Sequence, residues 1–217
     1  MHNKTFAAVA LLAAASLTLS ACGSDGDTGK PVTAVSKEAG SDKAATVLDK
    51  PFEKPDLVLT DTKGEKYDLR SATAGRPTLI YFGYTHCPDV CPLTMNNIAV
   101  AKKQLPKAEQ DKLRVVFVTT DPGRDTSAEL GKWLKGIDSD FIGLTGEFDT
   151  IQAGARTLGI SIDPPHKDKN GKVVSMHGTQ VIAFSPKTDG GYVLYGEDAG
   201  PDDYIKDLPK LIKGEKP

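Results

Sequence analysis

Cysteine is scarce in this chain, with three among 217 residues. So few thiols exclude a disulfide-stapled scaffold and leave each sulfur to be explained singly. An excess of one charge is also missing, because 27 Lys and Arg are set against 29 Asp and Glu, for a net −2. That balance gives no footprint for nucleic acid. No internal repeat is visible. The apolar run from Phe6 to Leu19 is too short to be a comfortable membrane span. The remainder, 39% hydrophobic and 26% charged, fits one ordinary globular domain plus an extra part.

The extra part is at the front. His2 and Lys4 precede the apolar run, which ends in Leu19-Ser20-Ala21-Cys22-Gly23. A charged start, a short apolar stretch and small residues before a break form an export signal, assigned to residues 1–21. Leu-Ser-Ala-Cys resembles the bacterial lipoprotein cleavage site. Cys22 is then the expected acylated N-terminus; the alternative is an uncleaved anchor or a plain signal peptide. Residues 22–50 carry Gly, Ser, Asp, Lys and Thr, and from Gly23 to Lys50 no aromatic residue. That composition reads as a flexible tether. The folded domain is expected over residues 51–214.

Two cysteines remain, four residues apart in Tyr81-Phe82-Gly83-Tyr84-Thr85-His86-Cys87-Pro88-Asp89-Val90-Cys91-Pro92. Each precedes a proline, which pushes its backbone out of the α region, so neither is expected inside a helix. Pro92 suits the first position of the next helix, with Cys91 at or beside its N-cap. Helix N–H groups and the dipole there favour thiolate. A cross-link closing so small a loop is worth only about 2 kcal/mol, so a chemical role is favoured over a structural one. Thiolates exchange disulfides and bind soft metals.

Strands are expected at Asp56–Leu59 and Lys66–Leu69 around a turn, at Thr78–Phe82, Arg114–Thr120 and Phe141–Leu144, and at Thr179–Phe184 and Tyr192–Tyr195 around the loop Ser185–Gly191. Helices are expected from Pro92 to Leu105, from the capping box Thr126-Ser127-Ala128-Glu129 to Lys135, from Glu147 to Leu158, and from Pro201 onward. Ile160–Asp163 and Lys172–Ser175 flank Asn170-Gly171 as a hairpin. The pattern argues for an α/β three-layer sandwich with a central mixed sheet, an inserted hairpin and an N-terminal extension. With cysteines between the first central strand and its helix, it is similar to the thioredoxin-like fold; a flavodoxin-like sheet is the alternative.

Four histidines are present. His2 leaves with the signal, His86 reads as a polar turn residue, and His166 as a solvated loop residue. His177 precedes the strand that starts near Thr179. In thioredoxin-like proteins the loop before that strand lies against the cysteine turn and usually carries proline; here it holds Met176-His177-Gly178. A ring nitrogen there would face two thiolates, a three-donor soft site that suits copper, whereas structural zinc wants four ligands.

The stretch Tyr81–Pro92 resembles the signature of the Sco/SenC family. Thr119-Thr120-Asp121-Pro122-Gly123-Arg124-Asp125-Thr126 resembles its second block, and His177 falls where the family has its third copper ligand. The family often has Asp-His-Ser there, so the partner of the ring is not given by the likeness. The resemblance spans about Pro51 to Ile212. It implies a membrane-attached copper chaperone that helps build the CuA centre of cytochrome c oxidase subunit II, by delivering copper, reducing the recipient's cysteines, or both. Cys87, Cys91 and His177 are the implied copper ligands, and Cys87 and Cys91 the implied redox-active disulfide. An upstream copper donor, a lipid anchor through Cys22 at the extracytoplasmic face of the cell membrane, and a monomer complete the expectation. Asp121 reads as a turn residue that could also orient part of the site. Against this stands a thiol–disulfide oxidoreductase, which lacks support from a CxxC spacing. A thiol peroxidase and a pure binding module are weaker still.

Overall fold

The computed structural model describes residues 44–217; the signal segment, Cys22 and the tether up to residue 43 lie outside the described residues. The chain runs β1 (Ala45–Glu53), β2 (Val58–Asp61), β3 (Lys66–Asp68), α1 (Leu69–Ala72), β4 (Thr78–Gly83), α2 (Val90–Gln104), α3 (Lys107–Gln110) and β5 (Arg114–Thr119). It continues through α4 (Ser127–Lys135), β6 (Ile142–Thr145), α5 (Phe148–Thr157), β7 (His166–Lys167), β8 (Val173–Val174), β9 (Val181–Phe184), β10 (Gly190–Tyr195) and α6 (Pro201–Ile212).

One sheet takes eight strands in the order β1-β10-β9-β4-β5-β6-β2-β3. Its centre, β4-β5-β6, is parallel, and the other pairings are antiparallel. This is the mixed thioredoxin-like sheet the pattern argued for, and the all-parallel alternative is excluded by β9 pairing antiparallel with β4.

Alternation along the strands fills two cores. Leu79 and Tyr81 of β4, Val115 and Phe117 of β5, and Val181 and Ala183 of β9 pack with Met95 and Ile98 of α2, Leu130 of α4 and Leu208 of α6. Ile80 and Phe82, Val116 and Val118, and Ile182 and Phe184 point the other way, onto Ile151 and Ala155 of α5. Period two in the strands and three-to-four spacing in the helices therefore produce helix, sheet and helix layers. Burying an aliphatic or Phe side chain here contributes about 1.5–3 kcal/mol.

Three expectations need correction. Residues 45–50, assigned by composition to the tether, already belong to β1, which pairs with β10 from Ala45↔Tyr195. An edge strand can be mostly polar, since only one side of it meets the core. The inserted hairpin is much smaller than expected: two-residue β7 and β8 surround the Asn170-Gly171 turn, and Ile160–Asp163 is not a strand. Ile160 and Ile162 are buried there, so packing rather than sheet pairing explains their apolar character. Finally, Cys91 lies inside α2, whose N-cap is Asp89 accepting from the Val90 N–H. Pro92 is tolerated in this first turn because the N–H it lacks would have no partner within the helix.

Candidate metal centre

Strand β4 ends at Gly83 under the cysteine turn. A Cβ at Gly83 would stand 2.8 Å from Cys91 Sγ and 2.9 Å from Phe117 Cε2. Glycine is thus required by the close approach of the sulfur to the sheet. Cys91 is fully buried and Cys87 is 6% exposed, and the two thiols are not cross-linked.

Each sulfur has its own polar neighbours. Cys87 Sγ accepts from the Cys91 N–H at 3.4 Å, an amide in the first turn of α2. Cys91 Sγ accepts from the buried Tyr81 hydroxyl at 3.5 Å. Burial pushes the Cys91 thiol up to about 12, and its hydrogen bonds from Tyr81 and the Tyr84 backbone only partly offset that. The expectation that the helix end would favour thiolate therefore fails for Cys91, because desolvation outweighs the donors. Burial also pushes Tyr81 well above the usual tyrosine range, so it stays a protonated donor.

The segment before β9 brings in His177. Its neighbour Gly178 donates its N–H to the Phe82 carbonyl at 2.9 Å, which pins the segment to the end of β4. A side chain at 178 would crowd Ile160 at 3.3 Å and that carbonyl at 3.4 Å. His177 Nδ1 lies 2.8 Å from the Gly178 carbonyl. A carbonyl can only accept, so Nδ1 carries a proton, and in the neutral ring Nε2 is the nitrogen with a lone pair to offer a metal. Donor atoms of Cys87, Cys91 and His177 all lie within 4.8 Å of one another. The centre of a triangle with such edges is about 2.8 Å or less from each corner, within a small contraction of a metal–thiolate bond of about 2.3 Å. Two sulfurs and one imidazole make a soft donor set.

Two buried aspartates hold this arrangement from behind. Asp125, fully buried, accepts from the Thr85 N–H at 2.9 Å, the Thr85 hydroxyl at 2.5 Å and the Thr119 hydroxyl at 2.7 Å. It fixes the cysteine turn to the end of β5. Asp121 accepts from Arg124 Nε at 2.6 Å and from the Ser175 hydroxyl at 2.8 Å. It fixes the His177 segment, two residues away, to the same loop. Asp121 is thus the turn residue expected, its carbonyl accepting from the Arg124 and Asp125 N–H groups, and its side chain also ties this loop to Ser175. The roles of Asp125 and Ser175 escape sequence reading, since their partners are 40 and 54 positions away. The Asp-Pro block, which contains Asp125 and Ser175's partner Asp121, was the signal that pointed there.

Among the described residues, the other two histidines stay outside the cluster. His86 is exposed, with Nδ1 at 3.1 Å from Thr85 Oγ1 and 3.5 Å from Asp125 Oδ1. His166 is exposed on β7.

A thioredoxin-like sheet with a cysteine turn and a histidine in place of the usual proline defines a protein built to hold a soft metal or exchange disulfides. Residues 45–213 match the SCO1/SenC family model, and the chain belongs to that family. It is 31% identical over 191 residues, 86% of this chain and 90% of the other, to a Stutzerimonas stutzeri protein whose name proposes copper binding. It is 28% identical over 163 residues to the mitochondrial SCO2 homolog of Mus musculus, covering 72% of this chain and 61% of that longer protein. Among solved structures, copper-bound ScoI of Bradyrhizobium japonicum superposes with a TM-score of 0.64 at 28% identity, over 73% of this chain and 99% of that one.

Proposed function

We propose that this protein is a membrane-tethered, extracytoplasmic copper carrier acting in assembly of the CuA centre of cytochrome c oxidase. The observation that carries the reading is the convergence of Cys87, Cys91 and His177 within 4.8 Å, with Nδ1 already engaged. Copper is cargo here, received from an upstream donor and passed to subunit II of the oxidase. Cys87 and Cys91 supply thiolates and His177 supplies Nε2, a set that suits Cu(I). Copper-bound ScoI and the copper-named Stutzerimonas relative support the assignment. Residues 1–21 direct export, acylated Cys22 anchors a monomer to the outer face of the cell membrane, and the following segment gives it reach.

The free, adjacent thiols favour a second reading, thiol–disulfide exchange. In that step the Cys87 thiolate attacks a partner disulfide and releases one partner thiolate. Cys91 then displaces the other, leaving a Cys87–Cys91 disulfide and a reduced partner; two electrons and two protons have moved.

Copper loading tests the first reading. Reduced protein is expected to take one Cu(I) per chain, and protein oxidised at Cys87 and Cys91 none at this site. Stoichiometric tight binding by the oxidised form would place copper elsewhere. For the anchor, Cys22→Ala is expected to leave unprocessed precursor or release the protein from membranes; normal maturation and retention would contradict lipidation.

A further inference from the structure

We propose that Tyr81 is a positioning residue for the Cys91 sulfur, donating a hydrogen bond that weakens this sulfur as an electron donor and so favours the reduced states of the site. The inference rests on the proposed function only where copper is involved; the metal-free dithiol tests it separately.

The two sulfurs are not equivalent. Cys87 lies nearer the surface and meets a helix amide, whereas Cys91 is closed off from water between Gly83, Phe117 and the Tyr81 hydroxyl. Tyr81 is itself buried in the middle of β4's apolar face, where its ring stands edge-on to Phe117 with centroids 5.9 Å apart. Strand and ring contacts therefore hold the hydroxyl in place, where it donates to the Cys91 sulfur at 3.5 Å and also meets the buried Thr94 side chain, which favours the hydroxyl's role as donor to the sulfur. A phenylalanine would fill the same core space. What the hydroxyl adds over a phenylalanine is its polar contacts, and of these the one to Cys91 reaches a proposed metal ligand.

A hydrogen bond to a ligating sulfur withdraws electron density from it. Redox potentials of copper–cysteine sites are tuned in this way by hydrogen bonding around the sulfur. Removing the donor should make Cys91 a stronger donor, favour Cu(II) over Cu(I), and move the sulfur-to-Cu(II) charge-transfer band to lower energy. In the metal-free protein the same bond is stronger to a thiol or thiolate than to a disulfide sulfur, so its loss should favour the disulfide. A net hydrogen bond of ordinary strength corresponds to about a fivefold change in equilibrium.

The experiment compares wild type with Tyr81→Phe in two arms. The first equilibrates metal-free protein with glutathione, in which two glutathione thiols reduce one Cys87–Cys91 disulfide and leave glutathione disulfide. The variant is expected to be about fivefold more oxidised at the same glutathione ratio. The second records the Cu(II) charge-transfer band, expected to shift to lower energy in the variant. An unchanged glutathione equilibrium and an unmoved band overturn the inference. If wild type binds no copper, the proposed function fails, and the glutathione arm alone still decides the role of Tyr81. Should Tyr81→Phe fail to fold, 3,5-difluorotyrosine at position 81 keeps the hydroxyl and strengthens it as a donor. Both readouts must then move the opposite way, and no movement overturns the proposal.

Discussion

At the scale of single residues the site depends on groups that never touch a metal. Asp125 receives three donors, so Asp125→Ala takes the acceptor from the part-buried Thr85 N–H and the buried Thr119 hydroxyl, while the Thr85 hydroxyl still has His86 Nδ1 at 3.1 Å. Leaving buried donors unpaired costs about 1–3 kcal/mol each before relaxation. Urea unfolding of the variant is expected to show a loss of about 2 kcal/mol or more; a loss within about 0.5 kcal/mol would contradict the anchoring role. Gly83 is judged by space alone. A methyl group at 2.8 Å from Cys91 Sγ forces that sulfur off the sheet, so Gly83→Ala should weaken Cu(I) affinity at least about tenfold while the chain remains folded. Competition against a Cu(I) chelator measures it.

Proton linkage belongs at this scale too. Metal can replace the Cys91 proton only by displacing it, and that thiol is pushed up to about 12. Below that value the thiol is mostly protonated, so copper binding releases a proton and the affinity falls as pH falls. Cu(I) affinity should rise by about tenfold or more per pH unit between pH 6 and 8. Without metal the sign is opposite. The folded pKa lies above the unfolded value near 9, so the reduced protein's contribution from Cys91 is fully present below pH 9 and lost as pH rises toward 12. A Cu(I) affinity that is flat with pH would mean Cys91 is not a ligand.

Among elements, the central part of the fold was legible because it obeys simple periodicities. The apolar run of β4, the run of β5 and the Thr126 capping box all read directly from sequence, and the Thr126 hydroxyl accepts from the Glu129 N–H as the box requires. Strand β1 was not legible. Its residues are mostly exposed, and its role comes from pairing with β10, about 150 positions away. A chain beginning at Pro51 should therefore be less stable than one beginning at Asp42, since it loses the Ala45–Val47 pairing with Val193–Tyr195. A drop of at least about 1 kcal/mol in unfolding free energy is expected, and equal stability would return this segment to the tether. Cys91 was misplaced outside α2 because the pre-proline rule is weak in a first turn. The site itself was read from three residues. What sequence could not supply was the frame behind them, a set of buried side-chain hydrogen bonds between loops far apart in the chain.

For the whole molecule, the sheet brings the cysteine turn after β4, the aspartate loop after β5 and the segment before β9 to one end. Two of these stretches supply the two thiols and the imidazole, and the aspartate loop is hydrogen-bonded to both through Thr85 and Ser175. No helix among the described residues is long and apolar enough to cross a membrane. The central claim is that the imidazole is there for copper and not for disulfide exchange, which needs only the thiols. The most direct test is cytochrome c oxidase activity in cells whose only copy of this protein is wild type, Cys87→Ser or His177→Ala, at equal protein levels. A copper carrier predicts that His177→Ala loses oxidase activity almost as completely as Cys87→Ser, although its Cys87–Cys91 pair can still be oxidised and reduced. Near-normal oxidase activity with His177→Ala, alongside loss with Cys87→Ser, would contradict the copper-carrier account and establish the reductase in its place.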